Sequence, residues 1–404
     1  MKKLLYLFLL IVMAIIISNC LSLNIPSDKV RYSRLKDYLS ETSQQYSLPP
    51  YRQNDIGMGM TSYHNDIILL KNVQPAFNLV IAEMEKAEKN INMELFIIRD
   101  DQTGRFFKNI LIKKARQGVA VHLIYDAWGS MFTPKSYFND LRKNGVKVSV
   151  YNPLWAGFLQ GRLSNRLHRK MIIIDGKQAF IGGENIGDEY LGKNKKIGFW
   201  KDTGIIFNGD AALSIQQLFL NDWLQSSGEK LANKSFYPPP PRTKNNVVKI
   251  ISGGPDSRKT NMSLSYSRLI NKAQEEVLIV TPYFLPNKVL LQTLYQAAAK
   301  GVDIHLILPR KSNNILARIA QPYYINHLLK HGIKVSAYNR GFIHSKIMVI
   351  DDRLASVGTA NLDRLSFSRN YEVSSIIYNK DVILQLKNDF YDNLKYSTTH
   401  LPSR

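Results

Sequence analysis

The 404-residue sequence predicts an α/β fold made of two duplicated halves. Three observations predict it. The pattern H-x-K-x-x-x-x-D occurs twice, as His168, Lys170 and Asp175 in HRKMIIID and as His344, Lys346 and Asp351 in HSKIMVID. The flanking sequence repeats with it: GVAVHLIY (118–125) returns as GVDIHLIL (301–308), and LRKNGVKVSVYN (141–152) as LLKHGIKVSAYN (328–339). Within each half, short apolar runs alternate with amphipathic helical stretches, the pattern of strands layered with helices.

The elements follow in chain order. Met1, Lys2 and Lys3 precede an uncharged apolar stretch, Leu4 to Ile17, and the single cysteine, Cys20, lies just beyond it. Two readings stand side by side for residues 1–23. One is a lipoprotein-type signal in which Cys20 becomes the lipidated first residue, although Asn19 departs from the Gly or Ala usual before that cysteine. The other is an uncleaved anchor of about 18 residues, just long enough to span a bilayer. Lys29, Arg31, Arg34 and Lys36 follow closely, so charge does not fix the orientation. Either reading expects a protein associated with the bacterial cell membrane. A lone cysteine rules out an intrachain disulfide.

Residues 24–63 form an extension of weak periodicity. The first half spans 64–225. INMELFII (91–98) and VAVHLIYD (119–126) read as buried strands, and FFKNILIKKARQG (106–118) between them reads as an amphipathic helix stopped by Gly118. The segment 226–246 carries Pro238 to Pro241 and reads as a semi-rigid linker at the seam of the duplication. The second half, 247–404, repeats the order with EVLIVTPYF, VLLQTLYQAAAKG and VDIHLILP. KMIIID and KIMVID read as short central strands with His and Lys at their entering ends.

Composition leaves the partner class open. The formal charge of +22, from 54 Lys and Arg against 32 Asp and Glu, favours polyanions, either nucleic acid or anionic lipid. There is no cysteine cluster and no dense acidic set, so no metal site is expected. Ser164, Ser345 and Ser366 lack the setting of a nucleophile elbow. His122 and His305 fall inside buried strands and read as structural, while His64, His327, His331 and His400 belong to no pattern.

The paired motif carries the chemistry. Residues i and i+2 of a strand share a face, so each histidine has a lysine beside it. A compact ammonium next to an imidazole suits a phosphate. Two such histidines can divide a phosphoryl transfer, one attacking phosphorus and the other protonating the leaving oxygen. Asp175 and Asp351 lie five residues past each lysine and face the other way, as structural carboxylates would. Each motif is followed by a turn of small residues and an asparagine, Asn185 and Asn361, both at the same 176-residue offset as the histidines (361 − 185 and 344 − 168). Their amides can donate to phosphoryl oxygens. Asp202 in WKDT and Glu372 in NYEV are candidates to orient the imidazoles.

With these residues in view, the chain resembles the phospholipase D superfamily, whose signature is this H-x-K-D motif, and more narrowly the bacterial cardiolipin synthases. FIIRDDQTGR, LHRKMIIIDGKQAFIGGENIGDEYLG, WKDTGIIFNGDA, SGGPDS, VTPYFLP and GFIHSKIMVIDDRLASVGTANLDRLSFSRNYEV all read like that family, from about Asp66 to the C-terminal region. The resemblance implies two phospholipase D-like α/β/α domains related by a pseudo-twofold axis. It also implies one active site whose catalytic set is His168, Lys170, Asp175, His344, Lys346 and Asp351. The implied reaction transfers a phosphatidyl group through a phosphohistidine, with two phosphatidylglycerol molecules giving cardiolipin and glycerol and no cofactor. A phospholipase D-type hydrolase is the alternative and a nuclease is disfavoured. A membrane protein with a degenerate site fails on the intact His, Lys, Asp and Asn of both halves. Typical members begin with two membrane helices, and this chain has one short apolar segment. YNPLWAGFLQGR (151–162) occurs only in the first half, and Trp155, Phe158 and Leu159 in it are candidates to dip into a lipid interface.

Overall fold

The computed structural model describes residues 59–159, 161–239, 243–255 and 261–400. Cys20, the apolar segment and most of the 24–63 extension lie outside the described residues. No helix among the described residues is long and apolar enough to cross a membrane.

The chain runs through β1 (Met60–Ser62), β2 (Asn65–Leu70), α1 (Val73–Lys86), β3 (Asn90–Leu95), α2 (Gln102–Arg116), β4 (Ala120–Asp126), α3 (Lys135–Lys143), β5 (Lys147–Tyr151) and the short α4 (Leu154–Leu159). It continues with β6 (Arg166–Leu167), β7 (Met171–Ile174), β8 (Gln178–Gly182), β9 (Phe199–Lys201), β10 (Gly204–Gly209) and α5 (Asp210–Ser227). The second half has β11 (Val248–Gly253), α6 (Asn261–Ile270), β12 (Glu276–Val280), β13 (Phe284–Leu285), α7 (Lys288–Ala299), β14 (Asp303–Pro309), α8 (Ile315–Lys330) and β15 (Lys334–Tyr338). It ends with β16 (Gly341–Ile343), β17 (Ile347–Ile350), β18 (Leu354–Gly358), β19 (Leu362–Asp363), α9 (Arg364–Ser368), β20 (Asn370–Ile377), α10 (Lys380–Leu394) and β21 (Ser397–Thr399).

Each half builds one mixed sheet. The first runs β2-β10-β8-β7-β3-β4-β5, and the second runs β11-β20-β18-β17-β12-β14-β15, the same plan strand for strand. In both, three parallel strands joined by helical crossovers lie beside antiparallel ones. The central strands β7 and β17 are buried along their whole length. They read as unbroken apolar runs because they are covered on both faces. The layering is helix, sheet, helix, sheet, helix. The middle layer holds α5 and α10, whose Phe219, Trp223, Leu386 and Phe390 pack with residues of both sheets in one shared core. Separate outer cores lie under α1 to α3 and under α6 to α8.

Several boundaries differ from the expectation, each for a local reason. The helix expected from Phe106 begins at Gln102, because the Asp101 carboxylate caps it by accepting from Gly104 N at 2.9 Å. It stops where expected, at Gly118, whose φ of 87° favours a residue without Cβ. The strand expected to reach Ile98 ends at Leu95, since Phe96 leaves the sheet and its carbonyl accepts from Ser130 Oγ at 3.2 Å. The segment 226–246 is no free tether: Leu231, Phe236 and Tyr237 are buried in the shared core. Residues 60–62, from the end of the extension, form β1 and pair with β11 in the second half's sheet.

Candidate functional site

Sheet topology brings the motifs together. Strand β7 runs antiparallel to β3, and β17 to β12, so each begins where the parallel strands end. His168 and His344 sit just before those beginnings. The halves then interlock by two short parallel pairings. β6 pairs with the start of β20, and His168 N donates to Tyr371 O at 3.0 Å. β9 pairs with β16, and His344 N donates to Lys201 O at 2.7 Å.

This interlock exchanges the carboxylates. Glu372, from the second half, lies 2.8 and 2.9 Å from Nδ1 of His168 through its two oxygens. Asp202, from the first half, lies 2.7 Å from Nδ1 of His344. With Nδ1 engaged on each ring, Nε2 is the nitrogen left for chemistry. Lys170 Nζ donates to the carbonyl of His168 at 2.6 Å, and Lys346 Nζ donates to that of His344. All of these side chains are buried, with Lys170, Asp202 and Glu372 fully so. Aromatic rings pack on both imidazoles: Phe96 at 5.1 Å from His168, and Trp200 at 5.1 Å and Tyr283 at 6.4 Å from His344.

The electrostatics show one site rather than two. Burial, aided by Lys346 of the other half, draws the Lys170 ammonium down to about 7 against the pull of Glu372. Burial holds Lys346 at about 8, with Asp202, Glu184 and Glu372 favouring its charge. Burial and Lys346 press His344 down to about 3, with Lys170 adding from the other half. His168 is lowered by burial and by Lys170 and Lys346, against Glu372. Burial works to raise Glu372, but the His168 charge and hydrogen bond, Lys170 and the Thr359 hydroxyl hold it below the usual range. Burial likewise opposes ionisation of Asp202, and Lys346 with His344 overcomes it. At neutral pH the site therefore holds neutral imidazoles on ionised carboxylates, with lysines poised near titration.

The other expected residues divide. Asn185 follows β8 and is committed to the fold: its Oδ1 accepts from Ile97 N at 2.9 Å and its Nδ2 lies 3.3 Å from Tyr190 OH. Asn361 follows β18, and its buried Oδ1 accepts no hydrogen bond from any described residue. Asp175 and Asp351 stand at the far ends of β7 and β17, away from the imidazoles, which corrects their grouping with the catalytic set. Asp175 accepts from the backbone amides of Glu88, Lys89 and Asn90 at 2.7–2.9 Å. Asp351 does the same for Gln274, Glu275 and Glu276 at 2.8–3.0 Å. Both have left-handed φ, 53° and 43°, and they clamp the turns that enter β3 and β12. His122 and His305 are bonded to Asn92 and Ser336 away from the site.

Further polar residues underpin the site without having been singled out. Asp126, at the end of β4, accepts from Trp128 N, Gly129 N and Leu167 N at 2.8–2.9 Å and so fixes the approach to His168. Arg169 pairs with Asp222 beneath the motif. Thr359 Oγ1 donates to Glu372 at 2.5 Å. Glu184 is buried beside Asp202, and burial with that neighbouring charge raises its pKa well above the usual range. The available signal was a charged residue ending an apolar run, as Asp126 does in VAVHLIYD.

Comparison with known proteins adds family information to this geometry. Residues 80–223 and 266–394 match the family model described as cardiolipin synthase, PLD-like domain. A cardiolipin synthase of Geobacillus kaustophilus (strain HTA426) is 39% identical over 345 residues, covering 85% of this chain and 69% of that one. A probable cardiolipin synthase of Bacillus subtilis (strain 168) is 38% identical over 334 residues, covering 82% and 67%. Among solved structures, a phosphatidylserine synthase of Haemophilus influenzae Rd KW20 superposes with a TM-score of 0.66 at 14% identity, covering 89% of this chain and 91% of that one. A polyphosphate kinase from Porphyromonas gingivalis gives 0.57 at 12% identity, over 94% and 52%. At such identities these two likenesses concern the fold.

Proposed function

The chain belongs to the cardiolipin synthase family of phospholipase D-like proteins, and on that premise we propose that it transfers a phosphatidyl group from one phosphatidylglycerol to another, giving cardiolipin and glycerol. The observation that carries this reading is the reciprocal exchange of carboxylates, which equips two imidazoles from different halves for work at one phosphorus. One of His168 and His344 attacks the phosphorus through Nε2. The other takes up a proton once the entering anionic phosphodiester raises its proton affinity, and gives it to the departing glycerol oxygen. The phosphorus–oxygen bond to glycerol breaks as the phosphorus–nitrogen bond forms. The second imidazole, now neutral, takes the hydroxyl proton of an incoming phosphatidylglycerol, whose oxygen displaces the histidine.

Lys170 and Lys346 stabilise the charge that gathers on the phosphoryl oxygens, and an anionic phosphodiester entering the site raises their proton affinity. Glu372 and Asp202 hold the rings and stabilise each imidazolium as it forms. Asn185 has its carbonyl on Ile97 N and its amide on the Tyr190 hydroxyl, whereas the Asn361 carbonyl is available to accept from a substrate hydroxyl. The protein works at the bacterial cell membrane, reached through the apolar N-terminal segment or a lipidated Cys20. Mass analysis of the N-terminal peptide from membrane fractions separates these routes.

Purified protein incubated with phosphatidylglycerol in mixed micelles, with chelator present, tests the reaction. Cardiolipin with an equal amount of glycerol is the expected product. Phosphatidic acid as the only product would instead mark a hydrolase.

A further inference from the structure

Three segments emerge at the end of the sheets where the histidines lie, and each is coupled to the site. The first follows β4. Ser130 bonds to the main chain of Phe96 and Ile98, and the Phe96 ring packs on His168. Phe132, two residues on, is 79% exposed. The second is α4 with the loop after it. Asn152 Nδ2 donates to the carbonyls of Arg162 and Asn165, closing a loop that leads straight into β6 and His168. On it Trp155 and Leu159 are 71% and 75% exposed. The third is the start of α8. Tyr283, whose ring packs on His344, donates its hydroxyl to Asn313 at 2.5 Å, and Gln321 accepts from Phe284 N at 3.2 Å. Ile315, Ile319 and Tyr323, spaced four residues apart, form an exposed stripe on this helix while Ala317 and Gln321 are buried.

Charge selects what these segments meet. Residues 129–136, 153–165 and 310–330 contain no Asp or Glu. They carry Lys135, Arg310, Lys311 and Arg318 in exposed positions, with Arg162 partly exposed. Large exposed apolar groups interleaved with basic ones are what an interfacial element needs: the apolar groups enter the acyl boundary and the cations meet anionic headgroups. A soluble substrate would make no use of exposed apolar groups at the mouth, and a single-stranded nucleic acid, which stacks on aromatic rings, would make none of Leu159, Ile315 and Ile319. Both halves contribute, so the groups flank the site on more than one side.

We propose that these three segments form a collar that seats the mouth of the site on an anionic lipid bilayer, so that a headgroup passes from the membrane to the paired histidines without crossing bulk water. This rests on the lipid reading of the site. It assigns the docking surface to the folded body and not to the N-terminal segment alone.

Hydrogen exchange of the full chain tests it, with vesicles of phosphatidylglycerol in phosphatidylcholine compared against no lipid. The expected result is slowed exchange in 130–133, 154–159 and 315–323, with the turns at Gly118 and Gly301, on the opposite end, unchanged. No slowing in the three segments, or equal slowing at both ends, overturns the collar. A second measurement uses Phe132→Ser combined with Ile319→Ser, two exposed positions. The ratio of turnover on vesicles to turnover in short-chain micelles should fall about tenfold or more, as expected for losing a buried Phe and Ile from an interface. An unchanged ratio overturns the proposal. Failure of the unsubstituted protein to make cardiolipin in either medium would sink the reaction assigned above, and hydrogen exchange would still decide the collar.

Discussion

His168 meets both oxygens of Glu372, and one of those oxygens also accepts from Thr359 at 2.5 Å. His344 meets Asp202 at 2.7 Å and has Lys346 Nζ at 2.8 Å from the same ring nitrogen. Position 183, the first-half counterpart of Thr359, is glycine, and a Cβ there would fall 2.2 Å from the Asp202 carboxylate. Where the second half has Ala360, the first has the buried Glu184. The duplication thus keeps the imidazole, the ammonium and the carboxylate but surrounds them differently. A ping-pong reaction needs two unlike histidines, a nucleophile and an acid, and the difference lies in these neighbours rather than in the motif.

Removing either imidazole is the largest test. His168→Ala and His344→Ala should each lower turnover by about 10⁴-fold or more, because neither half holds a second nucleophile or acid. Mass spectrometry of protein quenched in denaturant at neutral pH, where a phosphorus–nitrogen bond survives, should find phosphatidyl on one histidine only. Label on both would make the halves equivalent and break the comparison. Next, Glu372→Gln and Asp202→Asn keep shape but lose the charge that favours the imidazolium, and should cost about 10²–10³-fold in kcat. A larger loss for one of them identifies the histidine whose protonation limits the rate.

Exchanging the carboxylates' neighbours sharpens the point. Gly183→Thr should be the more damaging change, since its Cβ displaces Asp202, while Thr359→Val should reduce kcat only about tenfold by removing one hydrogen bond to a charged group. Equal effects would show that the two carboxylates are held alike. The motif aspartates should act on stability. Asp351→Asn should cost about 1–3 kcal/mol of folding stability in denaturant titration, the range for disturbing hydrogen bonds to a buried charge. Its pKa lies below the usual range, because its backbone hydrogen bonds overcome burial. Its contribution is therefore present above the ordinary carboxylate pKa and lost as pH falls through the depressed value. A fall in kcat without a fall in stability would return it to the chemistry.

The smallest effect concerns pH. Lys170 and Lys346 sit at about 7 and about 8 in the fold against 10.5 in an open chain. The unfolded chain binds more protons across that window, so stability of the substrate-free protein should rise as pH increases through it. Thermal melts from pH 7 to pH 9 should show the climb, and Lys170→Met should flatten more of it than Lys346→Met, whose window opens later.

The repeated strands, the helices between them and the paired His and Lys were legible because they are local. Burial writes itself into a strand as apolar residues, and i, i+2 spacing puts His and Lys on one face. The roles of Asp202 and Glu372 were visible as a pair of carboxylates, but not their crossing to the opposite half. That crossing is set by β6 with β20 and β9 with β16, pairings of two or three residues too short to leave a periodic signal. Thr359 and Glu184 escaped for a related reason: within a glycine-bearing turn, one hydroxyl or carboxylate looks like any other loop residue. The buried seam of Leu231, Phe236 and Tyr237 was masked by the proline run beside it.

The crossed carboxylates also order events in time. A chain leaving the ribosome presents His168 204 residues before the side chain that gives it purpose, and Asp202 waits 142 residues for the imidazole it serves. Neither lobe, finished and folded by itself, has a working pair, so the growing polypeptide stays harmless to the lipids around it until both lobes have met.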